Sequence, residues 1–131
     1  MSTHTHKIPE RKKLQLNKKI VEILRTVLYE RGFHFYIARG NYTGESATSL
    51  DGFELKIQVV PAASIEFHMQ RGDFRKWIDD TLGDTELAKR ISLIELTLPA
   101  EDLRKELLAI LQTRITALKM ELPHHLRHTH T

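Results

Sequence analysis

Apolar residues along this chain recur mostly at three- and four-residue steps. The longest such run is Leu103, Leu107, Ile110, Leu111, Ile115 and Leu118, with Lys105, Arg114 and Lys119 on the polar side. It predicts a helix over about 99–120. Pro99 fits its first turn, Glu101 and Asp102 sit beside its positive end, and Pro123 stops it. Ile20, Ile23, Leu24, Val27 and Leu28 predict a second helix over about 16–31, with Asn17 as N-cap and Gly32 at its end.

The period then changes. Phe33, Phe35 and Ile37 alternate with His34, Tyr36 and Ala38, which is a strand signal. Gly40 to Gly44 reads as a loop. Residues 48–60 fit two periods equally. As a helix, Ser49 caps it and Leu50, Phe53, Ile57 and Val60 share a face. As a strand, Phe53, Leu55, Ile57 and Val59 alternate with Glu54, Lys56 and Gln58, and could pair with 33–38.

Beyond Pro61 the pattern is helical again. Ala62–Met69 is a short helical turn, broken by Gln70-Arg71-Gly72. Asp73 reads as N-cap of a helix carrying Phe74, Trp77, Ile78 and Leu82, closed by Gly83. Asp84 caps the next, with Leu87, Ala88 and Ile91 inward. The expected fold is mainly α: a compact bundle of about five helices, with one short β-hairpin or strand near 33–38.

Length and composition place this pattern in one domain. At 131 residues with 40% hydrophobic and 28% charged content, the chain resembles an ordinary globular protein. The expected division is a disordered basic leader at 1–13, a helical domain at 14–122 and a flexible His-rich tail at 123–131. No cysteine is present, which removes disulfides, thiolate metal sites and Cys nucleophiles. No apolar run approaches a membrane span and the first residues are polar, so neither a membrane segment nor a signal peptide is expected. The expected location is cytoplasmic.

One stretch has a more specific pattern. It runs Ser64-Ile65-Glu66-Phe67-His68, then Asp73-Phe74, Trp77-Ile78, Leu82-Gly83-Asp84 and Glu86-Leu87-Ala88. With Thr43-Gly44, Ala47, Ser49-Leu50, Glu101-Asp102-Leu103-Arg104, Leu107 and Arg114-Ile115, it resembles a small, mostly archaeal family with some bacterial members, catalogued only as a domain of unknown function. The resemblance spans roughly 33–120. It implies a helix for Ser49–Val60 leading into the Phe67-His68 turn, although Gly52 and the β-branched Ile57, Val59 and Val60 depart from a comfortable helix. It implies no activity.

Candidate chemistry centres on the same stretch. His68 and Asp73, with Glu66 close by, are the candidate acid–base group. His68, Arg71 and Trp77 are the candidate ligand-binding residues. Asp73 is accounted for equally by capping, and Trp77 by core packing. His34 and His68, with Asp73, would make a two-histidine, one-carboxylate metal site if the fold brought them together. Arg11, Lys12, Lys13, Lys18 and Lys19 form a basic arm able to meet phosphates, within a net charge of +3. His124, His125, His128 and His130, with His4 and His6, could bind metal adventitiously. Dinucleotide, Walker, zinc-protease and nucleophile-elbow motifs are all missing, so no motif implies a cofactor.

The resulting expectation is a non-catalytic binding or protein-interaction module using the surface around His68–Trp77. The alternatives are a nucleic-acid-associated protein using the basic arm, and a small metal-assisted or acid–base enzyme centred on His68. The long amphipathic helices could also serve a homodimer.

Overall fold

A computed structural model describes residues 8–127. The described chain is mainly α, with six α-helices and one two-stranded antiparallel sheet. The helices are α1 (Glu10–Leu24), α2 (Leu50–Val59), α3 (Ala62–Arg71), α4 (Asp73–Trp77), α5 (Thr85–Ser92) and α6 (Ala100–Glu121). A wide π-type turn, Ile78–Leu82, extends α4. The strands are β1 (Phe33–Ala38) and β2 (Asn41–Ala47).

Several expected elements stand where periodicity put them. In α6, Leu103, Leu107, Leu111, Ile115 and Leu118 are all buried. In α2, the Ser49 hydroxyl accepts from the Gly52 N–H at 3.0 Å, a side-chain cap that supports a helix despite its β-branched end. This resolves the two readings of 48–60 in favour of helix.

Other boundaries differ. The first helix begins at Glu10 behind Pro9, not at Asn17, and it ends at Leu24. Residues 10–13, expected in a disordered leader, are therefore its first turn. Leu28 lies outside the helix and is exposed, while Val27 donates its N–H to the Thr48 carbonyl. The partner of β1 is residues 41–47, most of which read as loop. Their register runs from Phe33 opposite Ala47 to Ala38 opposite Asn41, with irregularities on either side of Tyr36. Ile37, expected inward, is exposed. Pro123 is followed by a 3₁₀ turn, His124–Leu126, and Leu126 packs against the core, so the described part of the tail is docked.

Phe33 and Phe35 point from β1 into an aromatic cluster with Phe53, Phe74 and Trp77. All five rings are buried. The edge of β1 away from β2 packs against α3. An unpaired strand edge inside a small fold needs partners for its backbone groups, and those partners define the site below. Among the described residues no helix is long and apolar enough to cross a membrane.

Candidate functional site

The free edge of β1, the end of α3 and the start of α4 enclose an open cleft of about 540 Å³. It is bordered by His34, Tyr36, Arg39, Phe67, His68, Arg71, Asp73 and Trp77.

His68 is the centre of this arrangement. It is only 3% exposed. Its Nε2 accepts the backbone N–H of Tyr36 at 2.9 Å. Its Nδ1 lies 2.8 Å from Oδ2 of Asp73. A backbone N–H can only donate, so Nε2 carries no proton. The ring proton therefore sits on Nδ1 and is donated to the Asp73 carboxylate. Burial lowers the His68 pKa from its ordinary value near 6.5, with the Arg71 charge acting in the same direction. The hydrogen bond to Asp73 and that carboxylate's charge oppose the shift. The ring is held neutral with both nitrogens engaged.

Asp73 departs from its expected role. Gly72, in the left-handed region at φ 73°, occupies the cap position, and Asp73 is already the first helical residue. No side chain caps this helix. Freed from capping, the Asp73 carboxylate reaches back to His68 and to Nε of Arg71, 2.9 Å away. Arg71 also lies over Phe67, with its guanidinium carbon 5.0 Å from the ring centroid.

Trp77 is buried and donates its indole N–H to the Arg31 carbonyl at 2.8 Å. It forms the back wall of the cleft and a piece of the core together. Glu66 is exposed and does not border the cleft. His34 does border it, but its Nδ1 pairs with the Ser46 hydroxyl at 2.6 Å. The two-histidine, one-carboxylate site is not assembled: His68 has no free nitrogen, and no three His, Cys, Asp or Glu side chains gather to hold a metal among the described residues.

The sequence reading missed Arg39 and Phe67 as cleft residues, and Tyr36 as the partner of His68. Arg39 is exposed and makes no hydrogen bond or salt bridge among the described residues. Its only sequence signal was its place at the end of the alternating run.

The basic arm stands apart from this cleft. Arg11, Lys12, Lys13, Lys18 and Lys19 all lie on α1 and are exposed. Of the terminal histidines, His124 and His125 lie in the 3₁₀ turn, while His4, His6, His128 and His130 fall outside the described residues.

A buried carboxylate lies elsewhere. Asp84, 1% exposed, caps α5 by accepting from the Leu87 N–H at 3.1 Å. Arg114 of α6 meets both of its oxygens at 2.9 Å. This two-pronged pair locks α5 to α6.

No match was found among curated proteins or among solved structures. A family model does match over residues 30–130, taking in the hairpin, the cleft and the Asp84–Arg114 pair but leaving out α1, and the chain belongs to that family, the family of unknown function DUF5752.

Proposed function

We propose that this chain is a non-catalytic binding module whose cleft takes a small ligand bearing a carboxylate or phosphate. One observation carries the reading: His68 has both nitrogens tied into the fold, so the cationic groups bordering the cleft are the guanidinium groups of Arg39 and Arg71. The terminal nitrogens of Arg71 make no hydrogen bond among the described residues, since only Nε is engaged by Asp73. Arg39 borders the same opening. Guanidinium groups suit planar anions, and Phe67, Tyr36 and Trp77 supply an apolar wall for the rest of the ligand. An acid–base role for His68 would require it to give up either the Tyr36 N–H or the Asp73 carboxylate.

Calorimetric titration with benzoate and with inorganic phosphate tests this. The reading expects saturable binding of at least one. It also expects roughly tenfold or greater weakening in an Arg39→Gln, Arg71→Gln double variant, the loss of one charge-assisted contact being worth about 1.5–3 kcal/mol. Unchanged affinity in that variant would overturn it.

A second reading, phosphate-backbone contact by α1, is favoured by one observation. All five cations of the arm are exposed on one helix, with only Glu10 and Glu22 as acidic neighbours. It expects DNA or RNA affinity that falls steeply as salt rises. A salt-independent binding curve would remove it.

A further inference from the structure

Tyr29, Tyr36 and Tyr42 are the only tyrosines in the chain, and all three converge on one patch. With His34 they line an open hollow of about 290 Å³ on the outer face of the hairpin, and among the described residues no other borders it. The rings meet at angles instead of stacking flat. Tyr29 and His34 are 4.7 Å apart at 53°, His34 and Tyr42 6.2 Å apart at 82°, and Tyr36 and Tyr42 5.5 Å apart at 48°. Rings at these differing tilts line the one hollow.

The hydroxyls are tied to one another. Ser46 Oγ lies 2.6 Å from His34 Nδ1 and 2.6 Å from the Tyr42 hydroxyl, which lies 3.4 Å from the Tyr29 hydroxyl. This chain orients the rings and uses up the polar atoms of Tyr42 and Ser46. A sugar or another ligand needing many hydrogen bonds finds few partners here. Beside the Tyr36 hydroxyl and His34 Nε2, what lines the hollow is aromatic ring, whose negative face attracts a cation within about 6 Å of the centroid.

We propose that the hollow formed by Tyr29, His34, Tyr36 and Tyr42 is a binding site for an alkylated ammonium group of the trimethylammonium type. Such a group has no N–H to satisfy, spreads its charge over methyl surfaces and fits a ring-lined basket. The hollow shares His34 and Tyr36 with the arginine-bordered cleft but includes neither Arg39 nor Arg71, so the two sites call for ligands of opposite charge.

The test is an NMR titration of the full chain, following the ring resonances of the three tyrosines. The probes are choline chloride, its uncharged isostere 3,3-dimethyl-1-butanol, and blocked trimethyllysine, with sodium chloride as the ionic-strength control. Choline should produce saturable shifts in all three tyrosines, and the isostere should not at the same concentration. Tyr36→Leu and Tyr29→Leu should each weaken choline binding roughly two- to fivefold, the worth of one exposed cation–π contact. Tyr36→Phe, which keeps the ring, should bind as the natural chain does. Tighter binding of blocked trimethyllysine than of choline would assign the group to a protein side chain, and the reverse to a small molecule. Equal shifts from choline and the isostere would overturn the proposal. So would the absence of saturation with both cations, or leucine variants of unchanged far-ultraviolet dichroism that bind as tightly as the natural chain.

Discussion

The chain carries the dipeptide Gly-Asp twice, as Gly72-Asp73 and Gly83-Asp84, and the two copies do different work. Both glycines are left-handed, at φ 73° and 84°, and both precede a helix. After Gly83, Asp84 is still non-helical, so its side chain folds over the first turn and caps it. After Gly72, the helix has already begun: the Gly72 carbonyl accepts the Lys76 N–H, and Asp73 stands one position too far in to cap. A one-residue offset in helix start turns one carboxylate into a cap locked by Arg114 and the other into the brace of His68. One residue pair thus joins helices, while the other seals a strand edge beside an open cleft.

The largest effect is expected where charge is most deeply buried. Asp84→Ala leaves Arg114, whose side chain is 19% exposed, without its counter-charge and the Leu87 N–H uncapped. Urea unfolding should register a loss of roughly 3–5 kcal/mol. At the other copy, His68→Leu keeps apolar volume but strands the Tyr36 N–H on the strand edge. The same measurement should give about 2 kcal/mol, the desolvation cost of an unsatisfied donor.

Much of this frame was legible in the sequence. The α6 stripe, the Ser49 and Asp84 caps and the joint nomination of His68 and Asp73 all follow from local pattern. Helix α1 was shifted because its first turns are exposed and polar, so periodicity began only where the core did. Strand β2 was missed because of its seven residues only Ala47 is buried, leaving no alternation to read. The roles of Asp73 and His68 were illegible for a different reason. Choosing between two cap positions one residue apart depends on which residue adopts the left-handed turn. The partner of His68 is a backbone N–H 32 residues away, which carries no side-chain signal at all.

Asp73→Ala sharpens the comparison through pH. The His68 pKa is lowered in the folded chain, so unfolding takes up a proton below about 6.5. Its contribution to stability is complete above that value and is lost as pH falls. Asp73 opposes the lowering, so without it the folded value drops further and the loss continues to lower pH. Stability curves of Asp73→Ala and the natural chain, measured by denaturation from pH 8 to 4.5, should separate progressively once pH falls below the natural chain's own lowered His68 value, by up to about 1.4 kcal/mol per pH unit. Parallel curves would mean that the carboxylate does not brace the ring.

The smallest effects are expected at the glycines. Gly83→Ala adds a Cβ with nothing within 4 Å, so its cost is conformational alone, about 1 kcal/mol. Gly72→Ala carries the same backbone cost and brings its Cβ to 2.9 Å from the Arg75 guanidinium, a flexible group that can swing aside. Thermal unfolding should therefore place the two variants close together. A much larger loss at Gly72 would show that the offset helix start is itself under strain.

The account rests most heavily on His68 being a neutral structural brace with its proton on Nδ1. Long-range ¹H–¹⁵N correlation of the histidine ring nitrogens at pH 7 reads this directly. The account predicts a neutral His68 protonated on Nδ1, with Nε2 showing the shift of an unprotonated, hydrogen-bond-accepting nitrogen. A proton on Nε2, or a fully protonated imidazolium at that pH, would contradict it and would return His68 to the list of groups free to act on a ligand.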